Sequence, residues 1–178
     1  MRIIGGQHAG YIIRPPKNLI ARPTTDIAKE SLFNILNNRY HFEDLKVLDL
    51  FTGGGGIGLE FASRGAQNVT AVDSSFVTFK FLKEVSSKLG LNQYQIIKGD
   101  AFKYLQHCTQ SFDIIFADPP YAMQNIAQIT QYVFENNLLT PDGVLIIEHD
   151  KNVKLTPENL SETRKYGQSA FSFYTKAQ

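Results

Sequence analysis

The chain has a single cysteine, Cys108, among its 178 residues. One cysteine excludes an intrachain disulfide and a cysteine-built metal cluster. It reads as a buried or incidental thiol rather than a catalytic one. The four histidines, His8, His41, His107 and His149, have no metal-ligand spacing, so no metal is expected. His149, inside Glu148-His149-Asp150, reads as a satisfied polar residue at a strand end. No apolar run approaches the ~20 residues that a bilayer span needs. The opening Met1-Arg2-Ile3-Ile4-Gly5-Gly6-Gln7-His8 breaks too soon for a signal peptide. A cytoplasmic location with no membrane contact is expected. Internal repeats, low-complexity tracts and interdomain linkers are also missing. With 43% hydrophobic residues, the chain fits one domain with a sizeable core.

Acid is missing from residues 1–22, which carry Arg2, Arg14, Lys17 and Arg22. That segment has a charge of +4, and the rest, fourteen basic against seventeen acidic side chains, has −3. A basic arm on a mildly acidic body suits a local contact with phosphates. Those four cations are the candidate RNA-binding residues, with a solvated terminal hairpin as the plainer alternative. Arg2-Ile3-Ile4 and Tyr11-Ile12-Ile13 read as two short strands of a hairpin, and Pro15-Pro16 stiffens its exit.

Strands and helices alternate beyond the arm. Thr24 or Thr25 caps a helix over 26–38, with Ile27, Leu32, Phe33, Ile35 and Leu36 as its apolar face. Strands are expected near 46–51, 69–73, 94–98, 112–117 and 143–149. Helices are expected near 57–65, 75–89, 101–107 and 124–137. Thr140-Pro141-Asp142-Gly143 reads as a turn, and 161–166 with 170–175 as a closing hairpin. This pattern predicts a parallel sheet covered on both faces.

Two motifs carry chemistry. Gly53, Gly55 and Gly58 have G-x-G-x-x-G spacing, between the strand ending Asp49-Leu50-Phe51 and a helix. Asp73 follows about 20 residues on, at the end of the next strand, as ribose recognition requires. A nucleoside-containing cofactor is indicated. Asp49 favours a cationic ligand over a pyrophosphate, and Asp100 adds a third acid at a strand end. The second motif is Asp118-Pro119-Pro120-Tyr121, just past an apolar strand. Its prolines hold carbonyls outward, and its tyrosine offers a flat face. Acceptors beside an aromatic ring suit a planar base with an amino group.

On these residues, together with Arg2-Ile3-Ile4-Gly5-Gly6, Arg22-Pro23-Thr24-Thr25-Asp26 and Glu30-Ser31-Leu32-Phe33-Asn34, the chain resembles a known family. It is similar to the bacterial 16S ribosomal RNA guanine-N2 methyltransferases of the small-subunit methyltransferase D family. Where that family usually has Ala-Gly-Ser-Gly, this chain has Thr52-Gly53-Gly54-Gly55, a more flexible loop without a serine hydroxyl. The resemblance implies a Rossmann-like class I methyltransferase: a mixed seven-stranded sheet with helices on both faces and an N-terminal β-hairpin arm. It implies one methyltransferase domain, with residues 1–22 as arm and 23–178 as catalytic core. It implies S-adenosyl-L-methionine as cofactor, contacted by Asp49, Phe51, Thr52, Gly53, Gly55, Gly58, Asp73, Ser74, Asp100, Ala101 and Asp118. Asp118, Pro119, Pro120 and Tyr121 are the implied catalytic residues. The implied partner is 16S ribosomal RNA or an assembling small subunit, met by a monomer. The alternatives are an adenine-N6 or cytosine-N4 nucleic-acid methyltransferase, a non-catalytic RNA-binding module, and a nicotinamide oxidoreductase.

Overall fold

The helix following the arm begins where Thr25 turns its hydroxyl back to accept the Ala28 N–H at 3.2 Å, which satisfies one orphan amide of the first turn. In the computed structural model, which describes residues 1–19, 24–123 and 125–176, this helix is α1, Asp26–Asn37. Its buried face is Ala28, Lys29, Leu32, Phe33 and Leu36. Ile27, expected inside, is 77% exposed. The i, i+4 rows through 28–32–36 and 29–33 leave position 27 on the far side. A short 3-10 turn, Phe42–Asp44, leads into the sheet.

Five strands run parallel: β1 Lys46–Leu50, β2 Asn68–Asp73, β3 Tyr94–Lys98, β4 Phe112–Ala117 and β5 Leu139–Asp150. The helices between them are α2 Gly58–Ser63, α3 Phe76–Lys88, α4 Ala101–His107 and α5 Ala127–Glu135. The predicted start of α5 at Gln124 lies outside the described residues. The chain closes with β6 Leu160–Tyr166 and β7 Ser169–Thr175. The sheet order is β3-β2-β1-β4-β5-β7-β6. β7 lies antiparallel between β5 and β6, so the expected mixed seven-stranded sheet is present.

The order reverses between β1 and β4, the position at which open α/β sheets open a crevice for ligands. Strand side chains alternate between two apolar layers. Val47, Ile114, Phe116 and Ile146 face the layer that packs α1, α2 and α3. Leu48, Leu50, Ile115 and Ile147 face the layer under α4 and α5.

Two expectations are corrected. Thr140-Pro141-Asp142-Gly143 lies within β5: Leu139 pairs with Phe112 and Val144 with Ile114, so four residues bulge opposite Asp113. The Thr140 hydroxyl donates to Asp113 Oδ1 at 2.9 Å and anchors the bulge. The N-terminal segment is not two strands. It has a single antiparallel bridge, Arg2 to Ile12, with Ile3 N–H bonded to the Tyr11 carbonyl and Gly10 N–H to that of Ile3.

The segment is also docked rather than free. Ile3 and Ile13 are buried in the α1–α2 layer. The Glu60 carboxylate, fully buried on α2, accepts the Ile4 and Gly5 amides, both at 2.8 Å. Lys29 Nζ lies 3.2 Å and Arg64 Nε 2.8 Å from the same carboxylate, and Lys29 also donates to the Arg2 carbonyl. Paired and hydrogen-bonded in this way, Glu60 and Lys29 are tolerable in the interior. Gly6 must be glycine: its φ is +77° and a Cβ there would strike the Ser63 carbonyl.

Candidate active site

Twenty-three residues surround a cavity of about 520 Å³ at the carboxyl ends of β1, β2, β4 and β5. The glycine loop forms one wall. Phe51 begins it in a left-handed conformation, φ 57°, unusual for a residue with a side chain and a conformation that concentrates at functional sites. Its ring packs edge-on against Phe102, with centroids 6.0 Å apart. Gly55 then turns the loop at φ +78°, and a Cβ there would strike Leu82 of α3.

Asp49 braces this loop from below. It is 1% exposed, and its Oδ2 accepts the Thr52 hydroxyl at 2.5 Å and the Gly58 amide at 3.0 Å. Burial raises its pKa to about 7, against the lowering effect of those two hydrogen bonds; Asp73 raises it further. A cation placed in the cavity would favour the ionised form.

Asp73, at the end of β2, accepts the Gly53 amide on Oδ2 and the Ser75 amide on Oδ1, both at 2.9 Å. Ser75 caps α3, so the carboxylate joins the loop to the next helix while facing the cavity. Asp100 caps α4 by accepting the Lys103 amide at 2.9 Å, and it lines the cavity as well.

Asp118, Pro119, Pro120 and Tyr121 form the opposite wall. The Asp118 amide reaches the Leu50 carbonyl at 3.4 Å, which ties this loop to the end of β1. The Pro120 carbonyl accepts the Met123 amide at 2.8 Å and closes a tight turn. Tyr121 is 42% exposed, and its hydroxyl lies 3.1 Å from Ser169 Oγ on β7.

Of the residues expected to bind cofactor, Asp49, Phe51, Thr52, Gly53, Asp73, Ser74, Asp100, Ala101 and Asp118 line this one cavity. Gly55 and Gly58 do not line it. Gly55 shapes the turn, and Gly58 lies against Asp49 and Tyr94, where a Cβ would be 2.8 Å and 3.0 Å from them. The expected RNA-binding residues lie elsewhere. Arg14 and Lys17 are exposed. Arg2 is exposed too, but lies 3.4 Å from Asp26. Arg22 falls outside the described residues.

Eleven lining residues were not among the predicted site residues, Met1, Thr24 and Glu148 among them. Met1 packs over Gly54 and Gly56, so the first residue of the 1–22 segment reaches the glycine loop. Glu148 is 4% exposed and accepts the Thr24 hydroxyl at 2.6 Å. Its signal was legible: an acid at the carboxyl end of the fifth strand obeys the rule that singled out Asp49, Asp73 and Asp100. His149 beside it is buried within β5, with Nε2 2.8 Å from Ser172 Oγ and Nδ1 2.8 Å from the Asp150 carbonyl.

A family model described as conserved hypothetical protein 95 matches residues 1–175. The chain belongs to this family. It is 35% identical to YlbH of Bacillus subtilis (strain 168), over 99% of each chain. It is 30% identical to ribosomal RNA small subunit methyltransferase D of Buchnera aphidicola subsp. Baizongia pistaciae, over 98% of this chain and 91% of that one. Among solved structures, yhhF from Escherichia coli superposes with a TM-score of 0.87 at 28% identity, covering 100% and 99% of the two chains. The 16S rRNA N2 G1207 methyltransferase RsmC of Thermus thermophilus, solved with AdoMet and guanosine, gives 0.68 at 25% identity, covering 89% of this chain and 45% of that one. The family fold is that of the class I methyltransferases, as the sequence resemblance implied.

The cavity suits a nucleoside bearing a sulfonium. It brings together the Asp73 carboxyl group, the glycine loop and the buried carboxyl group of Asp49. None of the described helices is long and apolar enough to cross a membrane.

Proposed function

We propose that this protein methylates the exocyclic N2 amine of a guanine in 16S ribosomal RNA, using S-adenosyl-L-methionine. The carrying observation is one cavity walled by the glycine loop with Asp49 and Asp73 on one side and by Asp118-Pro119-Pro120-Tyr121 on the other. The names of the Buchnera relative and of the Thermus neighbour support ribosomal RNA as substrate and guanine N2 as target.

The cofactor supplies a methyl group already activated on a sulfonium. Phe51, Thr52, Gly53, Ser74, Asp100 and Ala101 hold its adenosine and methionine parts, and Asp73 takes the ribose hydroxyls. Asp49 offers carboxylate charge to the cation, and Gly55 and Gly58 keep the loop in shape.

An aryl amine is a weak nucleophile because its lone pair is delocalised into the ring. Asp118 and the Pro119 carbonyl accept its two hydrogens, which favours a pyramidal nitrogen with its lone pair directed at the methyl. Fixed alignment of this kind supplies several kcal/mol of barrier lowering. Asp118 takes the proton released on transfer, and Pro120 holds the loop rigid. Tyr121 stacks on the base, worth roughly 1–3 kcal/mol. A paired base cannot reach this wall, so the target is unpaired or flipped out.

Arg2, Arg14, Lys17 and Arg22 contact phosphates. The protein acts as one domain and as a monomer, in the cytoplasm, on the small subunit or an assembly intermediate. The test is a labelled cofactor offered with small subunits and their precursors, and separately with duplex DNA. Label should enter the ribosomal RNA; label in DNA alone would favour the DNA-methyltransferase alternative.

A further inference from the structure

Glu148 lies two residues before the end of β5, beside the catalytic loop, and has had no role in the reading above. Ala117 and Ile147 are paired across β4 and β5. Asp118 and Glu148 are each one residue further along, so Asp118 leaves β4 at the height of Glu148 on β5. Two residues earlier on each strand, Phe116 and Ile146 face the α1 layer. A period of two turns Asp118 and Glu148 toward that same side, where both line the cavity. Glu148 is 4% exposed, and the Thr24 hydroxyl, 2.6 Å from Oε2, fixes its orientation.

We propose that Glu148 distinguishes guanine from adenine and cytosine by accepting the ring N1–H that lies next to the amine held by Asp118. This rests on the guanine-N2 reading above. The argument is one of donors and acceptors. Guanine presents N1–H and the N2 amine side by side on its Watson–Crick edge. In adenine and cytosine the ring nitrogen beside the amine is a lone pair. An ionised carboxylate is acceptor-only with about four positions, so it can hold a hydroxyl and a ring N–H together. A lone pair set against it in a buried pocket meets repulsion and leaves both groups unsatisfied. The Asp118 loop by itself recognises an amine on a ring and is indifferent to which base carries it. Glu148 supplies the missing distinction.

The test uses small-subunit RNA ligated to carry either guanine or 2-aminopurine at the methylated position, once that position has been mapped. 2-Aminopurine keeps the amine and loses the N1–H. Wild-type kcat/KM should drop about 10- to 100-fold on the analogue. Glu148→Gln, whose amide can turn either acceptor or donor to the base, should narrow that gap to a few-fold. Its affinity for S-adenosylhomocysteine should stay at the wild-type value, which also reports a native fold. If Glu148→Gln fails that check, Glu148→Met, of similar length and without an acceptor, gives the same ratio. A gap of unchanged size in a folded variant overturns the proposal while leaving guanine methylation intact. A wild-type enzyme that yields no N2-methylguanosine overturns both.

Discussion

Asp49 and Asp118 are both acids at strand ends, yet their surroundings give them different work. Asp118 faces the cavity at the end of β4, and the proposed role ties it to the amine rather than to the donor. Asp118→Ala should therefore cut methyl transfer by about 10²–10⁴-fold. Affinity for S-adenosylhomocysteine by calorimetry should stay within a few-fold of wild type. Turnover retained in this variant would refute the assignment. Tyr121 separates ring from hydroxyl. Tyr121→Ala loses the stacking surface and should lose most activity, whereas Tyr121→Phe keeps the ring, loses the bond to Ser169 Oγ and should keep activity. Asp49, with its pKa raised to about 7 by burial, makes a prediction about pH. A carboxyl whose folded pKa exceeds its unfolded value stabilises the fold below the unfolded pKa, near 4. That contribution is lost as pH rises to about 7. Asp49→Asn keeps an acceptor for Thr52 and Gly58 and cannot titrate. The stability of wild type relative to Asp49→Asn, from urea unfolding at pH 5, 6, 7 and 8, should fall as pH rises and level off above about 7. A difference independent of pH would contradict the buried, proton-binding carboxyl.

At the scale of elements, most of the fold could be read from hydrophobic runs bounded by caps and turns. β2, β3, β4 and α4 fall within a residue or so of expectation: β2 runs toward the Ser75 cap of α3, β3 into Gly99, β4 into Asp118-Pro119, and α4 starts at its Asp100 cap. The misses have physical causes. The Thr140–Gly143 segment has turn chemistry, and its bulge follows from pairing with β4, a tertiary fact. Met1 and Thr24 reach the cavity through long-range docking that no local pattern encodes. The N-terminal segment was readable as basic, but not as anchored. That anchoring rests on Glu60 with Lys29, Arg64 and two backbone amides, partners 31 residues away or more except for Arg64. A docked segment still presents Arg14 and Lys17 to solvent. Replacing Arg2, Arg14 and Lys17 with alanine should weaken small-subunit RNA binding and flatten its salt dependence, because fewer counterions are released. Cofactor affinity should not change, since the Lys29 bond goes to the Arg2 carbonyl and not to its side chain. A wild-type salt slope in the triple variant would leave the segment a structural clasp only.

At the scale of the whole molecule, one sheet brings the proposed cofactor-holding and base-holding groups to one edge. The reversal of strand order between β1 and β4 separates the loops that follow them. The donor loop and the amine-holding loop thus form opposite walls of one crevice. β5 extends that edge and adds Glu148, and the docked N-terminal segment closes it over the glycine loop with Met1. The binding-module alternative has no use for such a pairing of walls. The adenine-N6 and cytosine-N4 alternatives use the same walls and differ only in the base. The nucleoside formed is therefore the decisive quantity. Small subunits from cells lacking this protein, treated with the enzyme and labelled S-adenosylmethionine, are digested to nucleosides and separated. The account predicts label in N2-methylguanosine. Label in N6-methyladenosine or N4-methylcytidine, with none in N2-methylguanosine, would contradict it.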